Sequence, residues 1–353
     1  MGSSFQEGVG LDPGDRSWKS VQPALTISII VPVYNGGTNF YQCLSSLSAV
    51  RSRVLEIIVV DDGGTDDSGL LAKQIGAKVF KFASPGGPAR ARNRGAQIAQ
   101  GSILFFIDAD VTLTEETINQ VLATFRECPT LAALIGSYDD EPGAKNFLSQ
   151  YKNLFHHYTH QTSCEEASTF WGACGAIRRE AFLAVGGFDE RYRYPSIEDI
   201  ELGYRLKRAG YQIQLNKAVQ VKHLKHWKVG SLLRAEIFYR AIPWTELLWR
   251  DQQFNNDLNL KHSSRLSLVC TYALLLCFIA GWWWFPAWLI GLGMSLILLI
   301  LNWSLYSFFY QKRGLLFTVQ VVFWHWLYFF YGGLAFAIGT VRHLLSRQKP
   351  SPA

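Results

Sequence analysis

Two short apolar runs rich in β-branched residues, Thr26–Val33 (TISIIVPV) and Glu56–Val60 (EIIVV), each end in turn-forming residues. Runs of that length bounded by turns predict buried strands. Ile103–Ile107 repeats the pattern, and Lys78–Phe82 is a fourth candidate. Helical spacing fills the intervals at Asn39–Val50, Ser68–Ile75, Arg90–Ala99 and Thr114–Arg126, the last opening on Glu115 and Glu116 as helix starts favour. Strands alternating with helices predict an α/β fold with a mostly parallel sheet. Ligands of such sheets bind beyond the carboxyl ends of the strands. Asp61-Asp62 closes one run and Asp108-Ala109-Asp110 another, which places two acidic clusters on that side.

Past residue 140 the pattern loosens. An amphipathic helix is expected at Phe147–Thr159, a Gly-rich stretch at Phe170–Ile177 and a short helix at Arg179–Val185, stopped by Gly186-Gly187. Ile197–Arg208 reads as a helix that opens on Glu198, Asp199 and Glu201, and Gln212–Val221 as a strand. Residues 266–339 then carry no charge except Lys312 and Arg313. Runs of about 20 apolar residues fit bilayer crossings, and three candidates follow at 265–284, 286–307 and 315–339. WWWFP at 282–286 reads as an interfacial turn and Gln311–Gly314 as a polar loop. Three crossings would carry Arg342, Arg347 and Lys349 to the far side, against the positive-inside bias. One segment is therefore a candidate for an interfacial or re-entrant position, and Ser231–Trp249 is a further amphipathic candidate for lying on the membrane.

Charge sharpens this layout. Eight basic residues and four acids lie between 222 and 265, just ahead of the apolar region. Basic segments beside a span are attracted to anionic lipid and mark the cytoplasmic side, so the stretch reads as membrane-facing and not as a nucleic-acid site. The six cysteines are scattered without a CxxC pair, which fits a reducing compartment. Residues 1–24 lack an apolar signal region and are rich in Gly, Ser, Pro and Asp. The expected layout is a disordered tail at 1–24, an α/β domain at 25–230, and a basic interfacial segment at 231–264. A transmembrane region of two or three helices at 265–341 and a short basic tail at 342–353 follow. The expected location is the cell membrane, multi-pass, with the α/β domain in the cytoplasm.

Several residues carry candidate chemistry. Asp108 and Asp110, spaced i, i+2 at a strand end, can turn toward one point and offer hard oxygens to Mg²⁺ or Mn²⁺. Taken alone, such a pair also fits turn chemistry. Asp61 and Asp62 can accept hydrogen bonds from a base or ribose, or simply shape a turn. Glu198 and Asp199 suit a helix N-terminus, yet a carboxylate there can also serve as a general base. Arg90, Arg92, Asn93 and Arg94 follow a Gly/Pro turn, where guanidinium groups and helix N–H groups can meet phosphates. His223 gains a metal-binding reading only if its strand returns to Asp110.

Together these pieces resemble the family-2 glycosyltransferases of the GT-A fold, over roughly residues 26–230. The carrying segments are SIIVPVYN at 28–35, VVDDGGTD at 59–66, GGPARARNRG at 86–95, FFIDAD at 105–110, GGFDE at 186–190 and EDIELGYRL at 198–206. The resemblance implies a Rossmann-like mixed sheet flanked by helices, and inverting transfer from a nucleotide sugar, a UDP-sugar by the match at Asp62. By the same resemblance Pro32, Tyr34 and Asp62 cradle the base, with Arg90, Asn93 and Asp108 also on the donor. Asp110 and Asp108 hold Mn²⁺ or Mg²⁺ with His223 as a further ligand. Asp199 is the catalytic base beside Glu198, and Trp171, Gly172 and Gly175 line the acceptor cleft. No Q-x-x-R-W motif follows the ED helix, which favours transfer of a single sugar over polymer synthesis. The apolar tail points to a lipid-linked or lipophilic acceptor, attacking through a hydroxyl or phosphate. The rival readings are a catalytically inactive GT-A-like scaffold at the membrane and a sugar nucleotidyltransferase.

Overall fold

The computed structural model describes residues 24–252 and 262–347. The expected 1–24 tail falls almost wholly outside these residues. Eight strands form one sheet: β1 (Ile27–Val33), β2 (Glu56–Asp61), β3 (Lys78–Lys81), β4 (Ile103–Ile107), β5 (Val111–Thr112), β6 (Ala133–Tyr138), β7 (Cys174–Arg178) and β8 (Ile213–His223). Their order is β3-β2-β1-β4-β7-β6-β8-β5. The first half is parallel, as the alternating pattern predicts. β7 then runs antiparallel to both β4 and β6, so the sheet is mixed, as the resemblance implies, with four of its seven pairings parallel. Every residue of β1, β2 and β4 is buried, which is why these strands read as unbroken apolar runs: helices cover both faces.

The two-residue strand β5 matters beyond its length. Val111 pairs with His223 and Thr112 with Lys222, and Leu224 N–H donates to Asp110 O at 2.8 Å. The far end of β8 is thereby fixed beside the Asp108-Ala109-Asp110 loop. The helix Phe147–Gln161 lies against β6, where the His160 and His157 rings hydrogen-bond the carbonyls of Gly136 and Tyr138 at 2.8 and 2.7 Å.

The segment Ser231–Trp249, expected as an amphipathic helix lying on the membrane, is part of a continuous helix from Val229 to Asp251, with a π-type stretch at Ala235–Ala241. It is clamped between two partners. Trp244 Nε1 donates to Tyr204 Oη at 3.1 Å on the side of the α/β domain, and Trp249 Nε1 donates to Thr340 Oγ1 at 2.9 Å on the C-terminal side.

Among the described residues two helices are long and apolar enough to cross a membrane, His262–Ala280 and Trp303–Leu345, while Pro286–Leu301 is shorter. The expected span at 286–307 is interrupted. The helix ends at Leu301, and Asn302 leaves helical geometry and donates its side-chain amide to Ser267 Oγ at 3.0 Å. The next helix, Trp303–Arg347, is broken at Gly314, whose φ of 79° suits a residue without Cβ.

Candidate functional site

The site is organised around one buried arginine. The helix Pro88–Ile98 begins after the SPGGP loop, with Pro88 in its first turn where a missing N–H costs nothing. From it, Arg92 reaches inward. Its Nη2 donates to Asp108 Oδ1 at 2.7 Å and its Nη1 to Glu198 Oε1 at 2.8 Å. Burial opposes the charge, but Asp108 and Glu198 outweigh it and hold the guanidinium above its ordinary pKa. A Cβ on Gly172 would lie 3.0 Å from Arg92 Cζ, so glycine there leaves room for the arginine. This residue ties the DxD loop at the end of β4 to the start of the helix Glu198–Arg208.

Glu198 is 4% exposed, and its second oxygen accepts from Ser196 N–H at 2.8 Å. With both oxygens engaged, it serves as a partner that positions Arg92. Asp199 points differently. Its Oδ2 accepts from Gly172 N–H at 3.0 Å and its Oδ1 from Ile200 N–H at 2.8 Å. Burial, with the neighbouring Glu198 charge, pushes its carboxyl up from 3.8 to about 6. Such a group is ionised at neutral pH yet basic enough to take a proton.

Asp199 lies on the wall of a cavity of about 50 Å³. Lys152 and His156 reach it from the helix Phe147–Gln161, Trp171 from the loop before β7, and Arg240 and Trp244 from the helix that follows Val229. Lys152 Nζ pairs with Glu236 Oε1 at 2.8 Å. Burial lowers the Lys152 and His156 pKa values.

On the other side of Arg92, Asp110 faces His223 Nε2 at 3.8 Å and Lys225 Nζ at 3.4 Å. β8 thus returns His223 to the DxD loop. Burial holds the imidazole below its ordinary pKa, and the ring stacks on Tyr138 with centroids 4.3 Å apart. Among the described residues no group of three or more His, Cys, Asp or Glu side chains gathers closely enough to hold a metal by itself. Asp110 and His223 are nevertheless the right donors for a shared ion: a hard carboxylate and a neutral imidazole, with the Lys225 ammonium, half exposed at 3.4 Å, as the group an ion would displace from the carboxylate.

Other expected residues sit elsewhere. Asp62 accepts from the N–H groups of Gly86 and Gly87 at 2.9 and 2.7 Å; it holds the SPGGP loop against the end of β2. Pro32 is buried in β1, and Tyr34 is exposed just beyond it. Arg90 stacks on Phe82 at 3.7 Å, away from the DxD loop. Asn93 donates to Phe188 O and Glu190 Oε1 and accepts from Phe188 N–H, which commits its whole amide to the GGFDE loop. The arginine that reaches the site is therefore Arg92, two residues along the helix from Arg90. Gly175 pairs with Phe106 and Ile135 inside the sheet, where a Cβ would collide with Phe170; it is a packing position and not a cleft wall. Trp171 and Gly172 do border Asp199. Lys152 and Arg240 were not singled out, although the i, i+4, i+8 spacing of Lys152, His156 and His160 already places them on one helix face.

The glycosyl transferase family 2 profile matches residues 28–186, and a profile described as the N-terminal domain of galactosyltransferase matches residues 153–228. Residues 28–186 form a family-2 glycosyltransferase domain. The two matches together take in Asp62, Arg92, Asp108, Asp110, Asp199 and His223. The glycosyltransferase GlyG of Streptococcus pneumoniae is 29% identical over 145 residues, 40% of this chain and 46% of its own length. The succinoglycan biosynthesis protein ExoA of Rhizobium meliloti is 29% identical over 240 residues, 61% of this chain and 71% of its own. The chain spans less than half the length of GlyG and of two further curated glycosyltransferases. A mannosyltransferase from Pyrobaculum calidifontis, solved with GDP-Man and Mn²⁺, shares the fold at a TM-score of 0.54 and 16% identity, over 91% of this chain and 88% of that one. The family-2 domain of this chain has the GT-A fold.

Proposed function

We propose that this glycosyltransferase moves one sugar, with inversion, from a UDP-sugar to a hydroxyl or phosphate on a membrane-lipid acceptor. The observation that carries the reading is the Arg92 bridge, which places the Asp108-Ala109-Asp110 loop and the Asp199 cavity on two sides of one side chain. Asp199 takes the proton from the acceptor O–H. The acceptor oxygen attacks the anomeric carbon as the bond from that carbon to the diphosphate breaks, and the nucleoside diphosphate leaves. Arg92 keeps Asp108 turned toward the donor and the helix carrying Asp199 in register with it.

Asp110 and His223 are suited to hold Mn²⁺ or Mg²⁺. Bound there, the ion neutralises charge on the leaving diphosphate. The lipid acceptor is supported by the walls of the Asp199 cavity. Two of them, the helices bearing Lys152 and Arg240, also carry the apolar C-terminal helices.

The test is nucleotide release by the detergent-solubilised chain with a panel of UDP- and GDP-sugars, Mn²⁺ or Mg²⁺, and extracted membrane lipid. Metal-dependent diphosphate release stimulated by lipid is expected. Pyrophosphate release would show a nucleotidyltransferase instead, and donor binding without any release would show a scaffold.

A further inference from the structure

The helix that follows the Gly314 break is covered along its length by the catalytic side of the molecule. Near its start Phe317 packs on Phe147, ring centroids 5.0 Å apart. Further along, His325 and Tyr328 pack on Phe155 at 5.3 and 5.5 Å. Near its end Gly339 lies so close to Thr245 that a Cβ there would be 2.7 Å from the threonine Cβ, and Arg342 pairs with Glu246 at 2.9 Å. From Leu315 to Leu345 such a helix runs about 45 Å, and its first and last turns both touch elements fixed to the α/β domain.

A crossing helix cannot keep those neighbours. The hydrocarbon core is about 30 Å thick. The helix Phe147–Gln161 is bonded to β6, and Lys152 on it pairs with Glu236. Were the long helix upright in a bilayer, these charges and the sheet edge behind them would sit at hydrocarbon depth, which charged groups strongly disfavour.

The uncovered face is apolar over the same length. Leu316, Val319, Phe323, Leu327, Leu334 and Leu345 are all exposed, Leu316 at 83%. Their spacing follows one side of a helix. Lys312 and Arg313 stand at its start, held beside Asp140 and Gln150, and Arg342 stands near its end beside Glu246. Lys312 and Arg342 are still partly exposed at the ends of the apolar face, where anionic headgroups would meet them.

We infer that the helix from Leu315 to Arg347 lies in the plane of a single lipid leaflet, catalytic domain on one face and acyl chains on the other, and adds no crossing. The hairpin of His262–Ala280 and Pro286–Leu301 is rooted on it through Tyr272 Oη donating to Phe330 O at 2.8 Å, and Asn302 donating to Ser267 ties the hairpin's own two ends together. Its tip exposes Trp282, Trp283, Trp284 and Phe285, which suits insertion into lipid. A hairpin returns to the side it left. Arg342 and Arg347 then stay on the catalytic side, and the conflict with the positive-inside bias disappears. The inference rests on membrane association and not on the donor chemistry.

The test uses the full chain in a bacterial membrane with its six cysteines replaced by serine. Single cysteines at Gln311→Cys and Arg347→Cys are labelled with a membrane-impermeant maleimide in right-side-out and in inverted vesicles. In parallel, green fluorescent protein or alkaline phosphatase is fused after residue 353. Both cysteines labelled only in inverted vesicles, with a fluorescent and phosphatase-inactive fusion, is the expected result. Labelling of the two positions from opposite faces, or an active phosphatase, would overturn the in-plane helix. Recovery of the chain in the soluble fraction without detergent would overturn the leaflet itself, while leaving nucleotide release free to be measured.

Discussion

Replacing Arg92 by methionine tests the bridge at the centre of the site. Arg92 is 5% exposed and its two ion pairs are 2.7 and 2.8 Å long. Removing it leaves Glu198 buried with only the Ser196 amide as a donor. Breaking a buried pair from one side costs about 3–5 kcal/mol, and in a domain of this size each kcal/mol lowers the melting point by about 2–4 °C. R92M should therefore melt roughly 6–20 °C below the parent at pH 7. Adding E198Q removes the stranded charge, so R92M/E198Q should regain much of the lost stability while remaining poorly active, because Asp108 still lacks its donor. Differential scanning fluorimetry of the detergent-solubilised set, with diphosphate release on the same samples, reads both quantities. Strictly additive melting shifts for R92M and E198Q would refute the coupling.

Three other substitutions follow from the geometry. D199N should lower turnover by about a hundredfold or more, the scale of a lost general base, with donor affinity by calorimetry unchanged; full activity would remove Asp199 from the mechanism. In the parent, turnover should rise with pH through about 6 as Asp199 ionises, and E198Q should move that limb downward because it deletes a like charge. Since the folded state binds this proton more tightly than an ordinary aspartate, the group's contribution to stability is greatest below pH 3.8 and is lost as pH rises through about 6. D110A should abolish the tightening of donor binding by Mn²⁺, seen by titration with and without the ion. G87A should destabilise the fold by about 1–3 kcal/mol, because φ is 97° there and a Cβ would lie 2.3 Å from Arg193 O; chemical denaturation measures it.

What was legible in the sequence was local. β1, β2 and β4 announce themselves because both faces of each strand are buried, and the acids that end β2 and β4 are adjacent in sequence to those strands. The helix bearing Asp199 is marked by its acidic first turn. β6 was not anticipated, since ALIGSY is short and mixes small and polar residues among its apolar ones. The role of Arg92 was out of reach for another reason: its partner Glu198 is 106 residues away, and among the four polar residues of ARARNR only tertiary packing decides which one turns inward. Asn93, next to it, turns instead to the GGFDE loop. The C-terminal region shows the same limit. Hydropathy measures how long and how apolar a helix is, but whether it crosses depends on what lies beside it, and Phe147, Phe155 and Thr245 are distant in sequence.

The helix from Val229 to Asp251 supplies Arg240 and Trp244 to the wall beside Asp199 and, through Trp249 and Glu246, grips the long C-terminal helix. On the proposed reading, one element thus serves as both catalytic furniture and mooring. A chain stripped of lipid would keep every residue of its chemistry yet lose the backing of one side of its reaction chamber. Lipid should accordingly act as an activator even toward a water-soluble acceptor, and the identity of the detergent should alter turnover more than it alters donor binding.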